Sequence, residues 1–421
     1  MKFIKDLKNA KGLRKIYGEN AKDQLDRYEQ IQDKFEELFG EGDVMFFSTS
    51  GRSEIIGNHT DHNHGCVLAA GISLDAVAAV RKTDNNVVRL ISEGYAVENI
   101  IDLSDLSLTA SDEGSTKGLI KGVAIRMKEH YGAVLGGFDA YVQSNVFKGS
   151  GLSSSAAIEV LIFNIFNYIY NENSISAVEG AKISQWAENN YFGKPCGLMD
   201  QTACAVGGVV YIDFYKPEEP VIEELNFDFD KEGYSVIITD VHADHADLTN
   251  EYAAITLEMK SVAKYFGKEY LADVSEDDFY NDLGGLRKQV SDRAVLRSIH
   301  FFEENKRVKK AAEAIRNESL DAFFEAINES GASSWKLLQN THATGSDQQA
   351  MTLALALSSK ILGSDGACRV HGGGFGGTIL AFVPKKMKEE YVTVMENAFG
   401  ENACCELSIR PVGTTYVDFE G

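Results

Sequence analysis

Three short stretches hold most of the side chains able to do chemistry. The first is Lys148-Gly149-Ser150-Gly151-Leu152-Ser153-Ser154-Ser155-Ala156-Ala157. Its glycines let the backbone turn tightly and approach a ligand. Its serines place hydroxyls where the following helix leaves its first amides unpaired. Phosphate oxygens would meet several donors there, at the positive end of the helix dipole. The Gly-Lys-Ser/Thr ending of a Walker loop is missing, as is the Gly-x-Gly-x-x-Gly spacing of a dinucleotide fold. Read alone, the stretch is equally a phosphate cradle or a plain capping loop.

The second stretch, Gly51-Arg52-Ser53-Glu54-Ile55-Ile56-Gly57-Asn58-His59-Thr60-Asp61-His62-Asn63-His64-Gly65, crowds Arg, Asn, Asp and His into one loop. His59, His62 and His64 with Asp61 suggest a metal, but no Cys or Glu completes a set at helical spacing. A polyhydroxylated ligand needs the same polar groups and is the better reading, with a solvated loop as the bland alternative. The third stretch is Arg369-Val370-His371-Gly372-Gly373-Gly374-Phe375-Gly376-Gly377-Thr378, with five glycines in six positions. So much backbone freedom is costly unless close approach is required, which favours packing against a ligand over a flexible hairpin.

These stretches need elements to hold them. Leu25, Tyr28, Ile31, Phe35 and Leu38 recur at helical spacing. Strand-like runs follow at 44–49, 76–81, 87–92 and 138–144. A long apolar segment from Ser154 to Tyr170 predicts a buried helix, and Ser176-Ala177-Val178-Glu179 has the capping-box pattern that opens the next. Runs 208–214 and 234–240 read as strands around an acidic connection, 216–232. Mostly helical sequence then extends to Ser359. Strands near 367–371 and 378–383, a helix near 385–399 and a strand near 405–409 complete the chain. Strands followed by helices twice over indicate two α+β domains, divided as 1–215 and 216–421, with the last strand able to return to the first domain.

The 421 residues carry 41 Lys plus Arg against 63 Asp plus Glu, a formal net charge of −22. Such a field repels a phosphate backbone, which argues against nucleic acid as a partner. No apolar run is long enough to cross a bilayer, and the N-terminus lacks a signal-peptide core, so a cytoplasmic protein with no membrane partner is expected. Six cysteines without metal spacing read as small buried hydrophobes in a reducing compartment.

Together and in this order, the three stretches resemble the galactokinase branch of the GHMP kinases, from Arg52 to near Ile409. Residues 51–63 are similar to that branch's sugar signature, Gly-Arg-x-Asn-x-Ile-Gly-Glu-His-Thr-Asp-Tyr-Asn. Ala187-Glu188-Asn189 and Cys196-Gly197-Leu198-Met199-Asp200-Gln201 resemble its Ala-Glu-Asn…Cys-Gly-Ile-Met-Asp-Gln. The resemblance implies a two-domain α+β GHMP kinase fold: an N-terminal α/β domain with a left-handed βαβ unit and a C-terminal ferredoxin-like domain. It implies ATP-dependent phosphorylation of a galactose-like sugar at its anomeric hydroxyl. Asp200 would accept or orient the hydroxyl proton, with Arg52 beside it. Asn58, His59, Asp61, Gly197 and Tyr252 would meet the sugar. Gly149, Ser150, Gly151, Leu152, Ser153, Ser154, Ser155 and Ala156 would cradle ATP, with Ser155 and Glu188 as ligands for Mg2+. A monomer acting on small molecules is expected. Without the resemblance, Asp200 would read as an N-cap before Gln201-Thr202-Ala203.

The chain departs from the pattern in several places. Asn58 stands where the signature carries a Glu expected to bind the sugar's C6 hydroxyl. An amide both donates and accepts and carries no charge, which would weaken discrimination against galacturonate-type sugars. His62 replaces Tyr, Phe147 replaces Pro, His371 replaces Thr, Ile255 replaces Arg, and Asn340-Thr341-His342-Ala343-Thr344-Gly345 does not match the family's Cys-Pro-Glu-Leu-Asp. A kinase of galacturonate or N-acetylgalactosamine, and a non-catalytic sugar sensor on the same fold, are the alternatives.

Overall fold

The computed structural model describes residues 11–95, 98–146, 152–194, 196–242 and 248–419. The described strands are β1 (Met45–Ile56), β2 (Cys66–Lys82), β3 (Val87–Ser92), β4 (Asn99–Asp102), β5 (Phe138–Ser144), β6 (Val209–Asp213), β7 (Val221–Leu225), β8 (Tyr234–Asp240), β9 (Ala367–His371), β10 (Thr378–Pro384), β11 (Cys404–Leu407) and β12 (Thr415–Tyr416). They form two sheets. The first runs β12-β1-β2-β5-β3-β4, with β6 pairing β2 and β7 pairing β6. The second runs β11-β8-β10-β9.

The first sheet is organised by β2, a 17-residue strand whose near-continuous Ala, Val and Ile content suits burial on both faces. Its start pairs with β6, its end with β5, and almost its whole length with β1. The helices Ser154–Asn171 and Met199–Val206 pack on β1 and β2. The opposite face is closed by the helix Leu25–Phe39, whose Tyr28, Ile31 and Phe35 sit among Phe46, Val77, Ala79 and Tyr141. The helical spacing read from the sequence is therefore a core stripe, with Leu38 left at its rim.

The second sheet is antiparallel throughout and has the order fourth-first-third-second of a βαββαβ ferredoxin-like unit. The helix Asp292–Arg316 reaches back to β1, β2 and β7, so one apolar core runs from Val67 and Leu68 to Ile315, Phe382 and Leu407.

Local expectations hold where a short-range rule decides. Ser176 caps Ala177–Ala187 by accepting from the Glu179 N–H. Two features differ. The polar stretch after Thr49 is not a loop at once: β1 continues through Arg52 to Ile56, its register shifting between Ser50 and Arg52 and between Glu54 and Ile56. The acidic connection contains β7, which pairs with β6 and so prolongs the first sheet past residue 215.

On the first sheet lies a buried hub. Asp75, fully buried, accepts from Arg27 Nη1 at 2.6 Å, Arg410 Nη1 at 2.9 Å, Ser48 Oγ at 2.6 Å and Tyr17 OH at 2.5 Å. Burial alone would raise its pKa, but the two guanidinium groups and the hydroxyl donors hold it below the ordinary carboxylate value.

Candidate active site

The serine-rich stretch is described from Leu152 onward; Gly149, Ser150 and Gly151, with Phe147 and Lys148, lie outside the described residues. Leu152 is buried, and its carbonyl accepts from the Arg52 N–H at 3.3 Å, tying the stretch to β1. Ser153 takes a left-handed conformation at φ +58°, uncommon for a residue other than glycine, and the helix begins at Ser154. That helix buries Ala156 and Ala157 against the sheet, so its first turn is fixed.

Asp200 stands one residue inside the short helix Met199–Val206, not at its cap. Its side chain faces other partners. Arg52 Nε donates to Asp200 Oδ1 at 2.8 Å, and the Ser153 hydroxyl donates to Oδ2. Arg52 is almost fully buried on β1, whereas the Asp200 side chain keeps 26% of its surface open. Burial would raise the Asp200 pKa; Arg52 overrides it, with help from Ser153 and Lys194, and holds the carboxyl ionised. The serine-rich turn and the acid therefore share one corner.

Next to it, Ser155 Oγ donates to Glu188 Oε1 at 2.9 Å. Glu188 opens a π-helical turn, Glu188–Phe192, that follows Ala177–Ala187. Its other oxygen takes Gln201 Nε2 at 2.7 Å and Cys196 Sγ at 3.2 Å, which orients it. A hydroxyl and a carboxylate converging in this way are hard oxygen donors of the kind that suit Mg2+. Among the described residues no cluster of three His, Cys, Asp or Glu is placed to hold a metal.

The loop after β1 brings the other polar groups to the same side. Asp61 lies under Gly197: a Cβ at position 197 would fall 1.9 Å from Asp61 Oδ2. Burial, then Asp200 and Glu54, push the Asp61 carboxyl up to about 7, opposed by the His62 N–H at 2.8 Å. His59, at φ +57°, and His62 share a proton position at 3.2 Å, and burial lowers the pKa of both. His59, Asp61, Gly197, Asp200 and Tyr252 are all partly open.

The glycine run after β9 packs against this loop through consecutive carbonyls. Asn58 Nδ2 donates to Gly372 O at 2.6 Å, His59 Nε2 pairs with Gly373 O at 3.0 Å, and Tyr252 OH donates to Gly374 O at 3.0 Å. Close approach explains the glycines, because a Cβ at 373 would sit 2.4 Å from the Tyr252 ring. Just before the run, His371 pairs with Ser53 Oγ at 3.2 Å and Thr378 Oγ1 at 2.8 Å.

Asn58 differs from its expected place. Its side chain has no exposed surface and points into the protein, not toward an open cleft. Sequence reading also passed over three groups. Lys194, a second cation, lies 3.2 Å from Glu188 Oε1; a lone Lys in the sequence Gly-Lys-Pro carries no signal. Glu304 and His300, on the helix Asp292–Arg316, hold the backbone of Asn58 from far along the chain. Glu54 was legible, since the quoted signature has Asn there.

Two family models match the chain: the GHMP kinases N-terminal domain over residues 118–208 and the galactokinase galactose-binding signature over residues 33–82. Among curated proteins, it is 30% identical over 372 residues to the galactokinase of Glaesserella parasuis, covering 86% of this chain and 91% of that protein. It is 29% identical over 385 residues to the galactokinase of Clostridium tetani, covering 88% and 92%. Among solved structures, Lactococcus lactis galactokinase complexed with galactose superposes with a TM-score of 0.81 at 23% identity, over 92% of this chain and 99% of that one. The mevalonate kinase of Methanococcus jannaschii superposes with a TM-score of 0.62 at 15% identity, over 88% of this chain and 99% of that one.

Proposed function

Because the chain belongs to the galactokinase family of GHMP kinases, we propose that it transfers the terminal phosphoryl group of ATP to the anomeric hydroxyl of galactose, with Asp200 as the catalytic carboxylate. The observation that carries this reading is the junction of Asp200 with Arg52 and Ser153, which joins an ionised acid, a buried cation and the first described turn of the serine-rich stretch.

In the proposed step the anomeric oxygen forms a bond to the terminal phosphorus while the bond to the bridging oxygen of ADP breaks. The hydroxyl proton passes to Asp200, or is held by it until the oxygen is bonded. Arg52 keeps Asp200 anionic and offsets negative charge at the transferring group; Lys194 adds a second positive charge on the Glu188 side. His59, Asp61 and Tyr252 orient the sugar, and Gly197 leaves room for Asp61. Residues 149–156 bind the ATP phosphates. Ser155 and Glu188 would hold Mg2+, which when bound neutralises phosphate charge. Positioning and charge account for most of the rate in such transfers. Asn58 is assigned to the sugar site through the loop it fixes. The site would serve two units divided after residue 215, with β7 and β12 crossing that division to join the first sheet.

No helix among the described residues is long and apolar enough to cross a membrane. The test is ATP-dependent 1-phosphate formation over a panel of free sugars including galactose, galacturonate and N-acetylgalactosamine, followed as ADP release. Galactose-dependent turnover above about 1 s⁻¹ is expected, within the ordinary kinase range. Turnover with only another sugar replaces the substrate, and binding of sugar and ATP without turnover returns the chain to a sensor.

A further inference from the structure

The side-chain amide of Asn58 makes every hydrogen bond it can. Nδ2 donates to Gly372 O at 2.6 Å and to Glu54 Oε1 at 3.1 Å; Oδ1 accepts from Asn340 Nδ2 at 2.8 Å and from Ser334 Oγ at 3.3 Å. Two donors and two acceptors saturate an amide. Its backbone is pinned as well. The carbonyl pairs with His300 Nε2 at 2.9 Å, and the N–H donates to Glu304 Oε1 at 3.3 Å.

Glu54, four residues earlier, carries the negative charge of this pair. Its Oε1 accepts from Arg369 Nη2 at 2.7 Å, and Arg369 Nη1 donates to the carbonyls of Glu54 and Ile55 at 3.2 and 3.0 Å. Arg369 is fully buried and Glu54 nearly so. The signature this chain resembles has amide and acid in the opposite order, Asn at the position of Glu54 and Glu at that of Asn58. In this chain the pair puts one carboxylate and one amide in direct contact, at 3.1 Å. Two acids here would repel and leave no donor between them, and two amides would leave Arg369 without its buried counter-charge.

We propose that Glu54 and Asn58 are a matched pair of positioning residues, exchanged as a unit, which lock the sugar-contacting turn of His59 and Asp61 to the glycine run and do not themselves read the sugar. This deepens the proposed function and rests on that turn being the sugar site. Fixing the backbone at 58 fixes the left-handed turn at His59, whose ring also meets Gly373 O. The pair thereby sets how the second sheet's loop and the first sheet's turn face each other.

The test compares the full-length protein with Glu54→Asn, Asn58→Glu and the reciprocal double variant E54N/N58E. Thermal unfolding, the KM values for galactose and ATP, and the galacturonate-to-galactose ratio of kcat/KM are measured for each. Each single change should lower Tm and raise the galactose KM by at least about tenfold, as displaced substrate contacts do. The ATP KM should stay within about twofold, because that side of the site is untouched. The double variant should recover most of both losses. A double variant no better than the sum of the singles overturns the pairing. A folded Asn58→Glu protein that keeps its galactose KM but shifts the galacturonate ratio overturns the positioning role, because position 58 would then read the sugar directly. If the unaltered protein does not phosphorylate galactose, the proposed function fails, and the Tm coupling alone still decides the pair.

Discussion

Although the Asp200 side chain is partly open, its surroundings desolvate the carboxylate and favour the neutral form, yet a general base must be ionised at neutral pH. Arg52 resolves this, but only because its guanidinium is buried beside the acid, where the attraction is weakly screened. Asp200→Asn keeps the shape and removes the base. Its kcat at saturating galactose and ATP should fall by about 10²–10⁴-fold, while both KM values change little. Asp61 is the opposite case, because burial and the neighbouring Asp200 and Glu54 raise its carboxyl from an ordinary 3.8 to about 7. With the folded value above the unfolded one, ionisation costs stability that begins to be lost as pH rises past the unfolded value and is fully lost above about 7. The Tm of ligand-free Asp61→Asn should therefore gain on the unaltered protein more at pH 8 than at pH 4. An equal difference at both pH values would show that Asp61 titrates normally.

The elements that carry these residues are irregular where they meet the site. Strand β1 shifts register at Ser50/Arg52 and again at Glu54/Ile56, which turns Arg52 toward Asp200 and Glu54 toward Arg369. Helical segments end in π turns at Glu188–Phe192 and Ser334–Leu338, one presenting Glu188 and the other the Ser334 that meets Asn58. Left-handed residues stand at Ser153 and His59. Such conformations cost free energy, on the order of 1–3 kcal/mol each, and persist where the surroundings over-determine them. Gly197, two residues before the helix Met199–Val206, lies so close to Asp61 that Gly197→Ala must displace the Asp61 side chain. Its galactose KM should rise by about 10- to 100-fold with the ATP KM nearly constant, as expected when a substrate contact moves by about 1 Å. An unchanged galactose KM would remove Asp61 from the sugar site.

At the scale of the whole molecule, the Asp75 hub joins the helices Lys11–Tyr17 and Leu25–Phe39, β1, β2 and Arg410 between β11 and β12. Arg410 contributes through the carbonyls of Val412 and Gly413 as well as through Asp75. Asp75→Ala would leave Arg27 and the fully buried Arg410 without their anion, a loss of roughly 3–5 kcal/mol for a broken buried pair. A urea midpoint at pH 7 should show it, with kcat per folded molecule unchanged, since none of the hub's bonds to Asp75 involves Asp200 or Arg52. Because the folded pKa of Asp75 lies below its ordinary value, its contribution is present above that value and is lost as pH falls through the folded one. The difference between Asp75→Ala and the unaltered protein should narrow in acid.

The order of the three polar stretches, the helical stripe of Tyr28, Ile31 and Phe35, and the Ser176 cap were legible because each is written within a few neighbouring residues. So was the family, since its motifs are local runs. The 16-residue helix Thr116–Tyr131 has no clear sequence signal because its Gly118 and Gly122 weaken the apolar period, although both are needed where Asp112, Ala187 and Tyr191 press against the backbone. Strands β7 and β12 escaped because an edge strand of two to five residues has too little pattern of its own. Whether Asn58 faces a sugar or the interior could not be read from its type at all. That depended on Gly372, Asn340 and Ser334, between 276 and 314 residues away, filling its hydrogen-bonding positions first. Residue types determined which groups the site could contain; saturation of donors and acceptors across the two sheets, a property of the folded chain only, decided which of them remain available to a ligand.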